Sequence, residues 1–248
     1  MLNQIKKSYP LSRDVVRELK KVSSPQKAQI LQKFFKTGLG EYGEGDIFLG
    51  VTVPQQREIV KKYWEIDLKN VEKLLQTKIH EYRLTALLIL VKKFEQALKE
   101  KDSKKQKQIL ELYLKNIKYI NNWDLVDLTA PNIVGNYLLD KDRSVLYRLV
   151  VSPNLWARRI SILATYAFIK KGEYKDTLKI AEILLKDQED LIQKAVGWML
   201  REVGKRISQD IEESFLKKYY QIIPRTMLRY AIERFEEVKR KKYLMNKI

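Results

Sequence analysis

The chain has 248 residues and a net charge of +18, because 49 lysines and arginines outnumber 31 acidic residues. Hydrophobic residues make up 45% of the sequence, enough for a buried core in one large domain. The absence of cysteine excludes disulfides, cysteine–zinc sites and thiol catalysis, and a single histidine argues against a histidine-based triad or a multi-histidine metal site.

The excess of positive charge is spread along the whole chain instead of being confined to a tail. This distribution favours a polyanionic partner, nucleic acid first, over the alternative of a lysine-rich composition without function. The N-terminus lacks an apolar signal core, and no apolar run approaches the length of a membrane span. We therefore expect a cytoplasmic protein that does not bind membranes.

Apolar residues recur at helical period along nearly the whole chain, and prolines 25, 54, 153 and 224 fall where helices are expected to begin. No alternating run is long enough to indicate a sheet. The pattern predicts helices at 11–22, 24–37, 54–66, 69–77, 80–99, 104–119, 122–139, 142–150, 153–171, 174–186, 188–206, 211–221 and 224–242.

Pairs of these helices recur about every 35–40 residues, and their short connections favour antiparallel packing of neighbours. The sequence thus predicts an all-α fold, an α-solenoid of HEAT-like antiparallel helix pairs that forms a single domain over residues 1–248. A concave face is typical of such a stack, and the net charge of +18 predicts that this face is basic.

Residues 38–50 interrupt the helical pattern with a glycine-rich, acidic segment. Gly38, Gly40 and Gly43 form a literal G-x-G-x-x-G. We reject a dinucleotide site because the motif needs a preceding strand, whereas residues 30–35 are helical in pattern. The composition favours a mobile surface loop.

Trp198 lies outside the apolar stripe of its predicted helix, in a narrow band with Lys194, Arg201 and Lys205. An exposed indole among cations indicates a surface that receives a flat or sugar-like group with negative charge.

Trp123 and Asp127 are four residues apart, so they share one helix face. Asn122 is suited to cap this helix, and Asp124 to lie in its first turn. Two interpretations of Asp127 remain open from spacing alone: a functional carboxylate, or a structural ion pair with an arginine.

Arg159 falls on the apolar face of its helix, so its guanidinium needs a carboxylate or an incoming phosphate. Trp156 is expected in the core, and His80 at a helix end. Arg225 and Arg229 stack one turn apart and fit a phosphate-facing pair or a solvated helix face equally well.

Together these stretches resemble the AlkD-type DNA alkylation repair family of HEAT-like-repeat alkylpurine DNA glycosylases, over most of the chain. The most specific element is Gln193-Lys194-Ala195-x-Gly197-Trp198-x-Leu200-Arg201-Glu202. The others are Phe48-Leu49-Gly50-Val51 with Pro54 and Arg57, Glu81-Tyr82-Arg83 with Ala86-Leu87, Trp123-Asp124-x-x-Asp127, and Asn154-Leu155-Trp156 with Arg159.

The resemblance implies a monomeric, metal-free enzyme without a cofactor that excises N3- or N7-alkylated purines from duplex DNA. It places Asp127 as the catalytic carboxylate and Trp123 and Trp198 as aromatic walls around the deoxyribose of the lesion. The expected DNA contacts are Arg159, Arg201, Lys194, Lys205, Thr52 and Arg57, with support of Asp127 as the alternative role of Arg201. The resemblance also implies that the damaged base is excised without a deep base-binding pocket.

Two alternatives stay open at this point. The 38–50 loop departs from the shortest family members, which leaves a non-catalytic DNA-binding relative that recognises branched or damaged DNA. A HEAT-type protein scaffold would instead make Trp198 a binding hot spot for another protein.

Overall fold

A computed structural model describes residues 10–247, and these residues form an all-α protein without a β-strand. The α-helices are α1 (Ser12–Lys21), α2 (Pro25–Phe34), α3 (Val53–Tyr63), α4 (Leu68–Leu75), α5 (His80–Lys99), α6 (Ser103–Lys115), α7 (Trp123–Asp127), α8 (Ser144–Val150), α9 (Leu155–Ala164), α10 (Tyr166–Ile169), α11 (Lys175–Ile183), α12 (Asp190–Arg206), α13 (Gln209–Tyr219), α14 (Arg225–Ala231) and α15 (Glu237–Leu244). Within this part of the chain, no helix is both long enough and apolar enough to cross a membrane.

The predicted all-α class is confirmed, and the chain divides into two compact units, Met1–Thr129 and Ala130–Ile248. The expectation of a single domain stays a prediction. In each unit, helices that follow one another along the chain pack together, as α4 with α5, α5 with α6, α8 with α9 and α12 with α13 do. This packing of consecutive helices is what the short predicted connections require.

The predicted helices 122–139, 153–171 and 224–242 are wrong as continuous elements. The second is divided into α9 and α10, and the third into α14 and α15. The break in 122–139 bears on the candidate site. Helix α7 ends at Asp127, and a π-helical turn covers Pro131–Gly135. Pro131 has no backbone N–H and its ring clashes with the preceding turn, so a regular α-helix cannot run through it. The break confines Trp123 and Asp127 to a short helix of their own.

Helix α5 is the centre of the N-terminal unit and packs against α3, α4 and α6. Most of its residues are buried on all sides, including the polar His80, Glu81 and Arg83 at its N-terminal end. A buried charged group is costly unless it is paired or hydrogen bonded, so these three side chains must have partners close by.

The partners come from the loop at 38–50. The Glu81 carboxylate accepts hydrogen bonds from the backbone N–H groups of Leu49 (2.9 Å), Gly50 (2.8 Å) and Val51 (3.2 Å). Gly50 has a φ of +79°, and a Cβ there would lie 2.1 Å from the carbonyl oxygen of Ser24, so only glycine fits. The interpretation of this segment as a mobile surface loop is therefore corrected, since its second half is fastened to α5.

In the C-terminal unit, α12 packs against α9, α13 and α14. Its apolar stripe, which includes Ile192, Val196 and Leu200, is buried. Gly197 lets α14 approach closely, because a Cβ at this position would lie 2.4 Å from the carbonyl oxygen of Met227. The glycine next to Trp198 thus serves helix packing.

We predict that Glu81→Gln lowers the free energy of unfolding by about 3 kcal/mol, since the carboxylate charge strengthens its hydrogen bonds to three main-chain N–H groups. Urea unfolding followed by circular dichroism measures the change. The matched control is Glu111→Gln on α6, whose side chain is 63% exposed and should change the stability little. Equal stability of the two variants would contradict the role given to Glu81.

Candidate active site

Helix α7 holds two of the expected catalytic residues on one turn. The Asn122 side chain caps the helix by accepting a hydrogen bond from the backbone N–H of Trp123 at 2.8 Å, as the sequence predicts. Trp123 and Asp127 are both half-buried, so each keeps an accessible part. Asp127 also affects the buried Tyr113: burial raises the pKa of that phenol, a hydrogen bond with Thr129 lowers it, and the charge of Asp127 raises it further.

Helix α7 is joined to α5 and to the loop through His80. The imidazole Nε2 lies 2.8 Å from Oδ2 of Asp124, and Nδ1 lies 3.2 Å from Oδ2 of Asp46. Arg83 donates to the same Asp46 oxygen at 2.7 Å. All four side chains are nearly inaccessible to water. We call this group, His80 with Asp46, Asp124 and Arg83, the histidine clamp.

The electrostatics of the clamp favour a charged imidazole. Burial alone lowers the pKa of His80, but the charge and hydrogen bond of Asp124 and the hydrogen bond of Asp46 outweigh it and raise the pKa to about 8. Burial of Asp46 would raise its pKa, yet His80 and Arg83 together hold it below the usual value. At neutral pH the clamp is therefore an imidazolium that donates from both nitrogens to carboxylates.

Aromatic rings from the C-terminal end of α2 pack on Trp123. Phe35 stacks on the indole with a centroid distance of 5.1 Å, and Phe34 meets it edge-on at 5.9 Å. The indole Nε1 donates to the Tyr42 hydroxyl at 3.3 Å. The loop thus contacts Trp123 directly, which the sequence pattern did not reveal.

The other expected contacts in this unit lie around α3. Thr52 caps the helix, and its hydroxyl donates to Oε1 of Gln55 at 2.8 Å. Arg57 is exposed on α3. Both positions are thus at the surface of the unit or close to it, and their role as DNA contacts stays a prediction.

In the C-terminal unit, Trp198 is half-buried on α12, and its ring centroid lies 6.3 Å from that of Tyr166. It is outside the buried stripe, as its position in the sequence predicts. Lys205 is exposed one turn beyond Arg201, while Lys194 forms an ion pair with Asp190 at 2.6 Å. The band of cations around Trp198 is thus only partly available to an anion.

Arg201 is held by carboxylates more than the sequence suggests. Its guanidinium forms an ion pair with Glu233 and lies 3.8 Å from Glu202. Glu212 is a further buried carboxyl near Arg201: burial raises its pKa to about 8, although the arginine charge lowers it. A phosphate would have to compete with these acidic groups for Arg201.

Arg159 is buried, as expected, but one partner differs from the prediction of a carboxylate or a phosphate. The guanidinium donates to the main-chain carbonyl of Leu191, at the start of α12. Its neighbour Arg158 pairs with Asp187 at 2.7 Å. Trp156 is buried, which confirms its assignment to the core. Arg159 thus links α9 to α12.

Sequence reasoning missed the histidine clamp. His80 does begin a helix, as predicted, but its two carboxylate partners are 34 and 44 residues away along the chain. The structure shows that the polar run Glu81-Tyr82-Arg83 is buried and therefore needs partners, which its position in the sequence does not show. Among residues 10–247, no cluster of three or more histidine and acidic side chains has the geometry of a metal site.

The family model described as DNA alkylation repair enzyme matches residues 15–235, which is most of the chain. The chain belongs to the DNA alkylation repair enzyme family. The motifs that carry the resemblance, including those around Trp123 and Trp198, fall within the matched range.

A solved structure from Enterococcus faecalis, described as a predicted DNA alkylation repair enzyme, has a similar fold. Its TM-score is 0.66 at 16% sequence identity, and the match covers 87% of this chain and 97% of that one. At this identity the likeness shows the fold alone. The search of curated proteins finds no match. For this member of the DNA alkylation repair family, DNA is the substrate that the family name indicates.

We predict that His80→Gln lowers the free energy of unfolding most strongly below about pH 6.5. The folded pKa of about 8 exceeds the ordinary value of 6.5, so the stabilisation is complete below the unfolded pKa and is lost as the pH rises through 8. The stability difference between wild type and variant should shrink by about 2 kcal/mol between roughly pH 6 and pH 9. Urea unfolding across this range measures it, and the contribution of Glu212 cancels because both proteins contain it. A difference independent of pH would show that His80 is neutral.

Proposed function

We propose that the protein is a monofunctional DNA glycosylase that excises N3- or N7-alkylated purines from duplex DNA. The observation that carries the proposal is the placement of Trp123 and Asp127 on one turn of α7, both half-buried and therefore within reach of a ligand. Family membership supports the DNA repair role, and the net charge of +18 supports a polyanionic substrate.

Departure of the base requires little acid catalysis. An alkylated purine already carries positive charge, so its glycosidic bond is weak and the base leaves neutral. The developing charge is on the sugar, which becomes oxocarbenium-like. In this proposal the Asp127 carboxylate stabilises that charge and orients the attacking water. Both ring nitrogens of His80 are held by carboxylates, so His80 has no proton-transfer role.

The tryptophans supply ring faces for the cationic sugar. Cation–π attraction contributes roughly 0.5–2 kcal/mol, and the indoles exclude water from the reacting carbon. In the proposal Trp123 and Trp198 supply these ring faces. The DNA backbone is contacted by Thr52 and by five cations: Arg57, Arg159, Lys194, Arg201 and Lys205. Selectivity then arises from the lability of the lesion, because an unmodified purine lacks the charge that weakens the bond.

A specific observation favours a second candidate, DNA binding without excision at branched or damaged sites. Trp123 is covered by the Tyr42 hydroxyl from the loop and by the rings of Phe34 and Phe35 at the end of α2. If these contacts persist on DNA, the indole cannot line the sugar. The two candidates differ in one measurable property, the release of a base.

We predict that Asp127→Asn slows the release of alkylated base from methylated duplex DNA by about 10²–10⁴-fold. Chromatography of the released bases under single-turnover conditions measures the rate. The matched control is Asp140→Asn, at an exposed turn, which should leave the rate unchanged. Release at the wild-type rate by the Asp127 variant would sink the catalytic assignment, and DNA binding with no release by any variant would favour the second candidate.

We predict that DNA binding weakens steeply with salt, with a slope of log affinity against log salt of about 0.9 for each phosphate neutralised. Fluorescence anisotropy of a labelled duplex measures the slope. Arg57→Gln and Lys205→Gln should each reduce it by about one phosphate, since both side chains are exposed. Lys107→Gln, whose side chain lies near Glu111 on α6, is the matched control. A slope near zero in the wild type would contradict electrostatic binding.

A further inference from the structure

The N-terminal unit contains a cavity of about 300 Å³ bounded by α2 and by the N-terminal ends of α3 and α5. Its outer wall is α2, and none of the ten residues of this helix is buried. Ile30 and Phe34 line the cavity and are 66% and 61% exposed, so it opens to solvent between apolar side chains. A cavity of this size is at the lower end of the range for small-molecule sites.

The inner wall of the cavity is aromatic. Phe35 and Phe48 stack at 5.0 Å and 15°, and Phe48 stacks on the His80 imidazole at 4.5 Å and 22°. Phe35 also stacks on Trp123, so the rings run from the histidine clamp to the proposed site. A planar ligand in the cavity would pack against these rings, and aromatic groups favour such contacts beyond simple burial.

Apart from Lys27 and Thr52, the polar groups of the wall are engaged within the protein. His80 bonds to Asp46 and Asp124, and Glu81 accepts from the loop backbone. Gln56 donates to the Val51 carbonyl at 3.0 Å and accepts from Thr85 at 3.1 Å. A charged ligand would lose its water with little replacement, which is costly. The cavity therefore suits a neutral, planar molecule whose polar atoms can bind Lys27 and Thr52.

We propose that this cavity is a binding site for a neutral purine base, the planar leaving group of the excision reaction. The inference rests on the proposed function, because that reaction releases a neutral base close to Trp123. Phe34 and Phe35 both line the cavity and pack on Trp123. Thr52, at the edge of the cavity, offers a hydroxyl oxygen that can still accept a hydrogen bond from the base. Neither Asp127 nor Trp123 lines the cavity, so the site is separate from the proposed catalytic residues.

Isothermal titration calorimetry with free methylated purine bases, 3-methyladenine and 7-methylguanine, tests the proposal. Wild type should bind at least one of them with a Kd below about 1 mM and should not bind deoxyribose, the non-planar product. Leu31→Trp places a ring in the cavity and should weaken binding at least ten-fold. The matched control, Leu39→Trp, changes a residue that is 93% exposed and lies outside the cavity, and it should bind as wild type does.

Thermal melting shows whether each variant is folded, and Val53→Phe, which fills the cavity from α3, replaces Leu31→Trp if that variant does not fold. No binding of either base, or binding unchanged by the filled cavity, would overturn the proposal. Base release from methylated DNA is assayed in parallel. Base binding without base release would leave the purine site standing and remove the proposed function, whereas base release without base binding would remove the site alone.

Discussion

A buried imidazolium between two carboxylates is the constraint on which the N-terminal unit depends. His80 is the first residue of α5, Asp46 belongs to the loop and Asp124 to α7, so one side chain fixes three elements. An uncompensated charge at this depth would cost several kcal/mol, and the arrangement is stable only as a complete set. The clamp therefore determines where α7 lies, and with it the position of Trp123 and Asp127 relative to α5.

The same constraint explains why a glycine-rich acidic loop contacts the candidate site. Asp46 and the main chain at 49–51 hold one end of the loop on α5, and Tyr42 in the remainder reaches the Trp123 indole. The loop therefore serves as a structural partner of Trp123 and as part of the frame around an aromatic cavity. In the C-terminal unit, ion pairs with Asp190 and Glu233 similarly restrain cations that the sequence presents as free. In both units, acidic residues form ion pairs with cations that the sequence presents as free, as Asp46 does with Arg83, Asp190 with Lys194 and Glu233 with Arg201.

The fold class and most helices were predictable because they rest on local periodicity, and α5 begins and ends where the pattern places it. Pro131 signals the break in the predicted helix 122–139, but the apolar pattern continues through it and favours an uninterrupted helix. The placement of Trp123 and Asp127 on one helix was predictable, because it depends only on their spacing along the chain. Contacts between residues distant in the chain were not predictable, such as those of His80 with Asp46 and Asp124 or of Arg159 with the Leu191 carbonyl. Periodicity specifies which face of a helix is buried but not what lies against it.

Because the chain has a single histidine, ¹⁵N NMR of the labelled imidazole measures the protonation state of His80 directly. The account predicts that both ring nitrogens carry protons at neutral pH and that the ring titrates with a pKa near 8. A neutral ring at pH 7, with a midpoint at or below the ordinary histidine value of about 6.5, would contradict it.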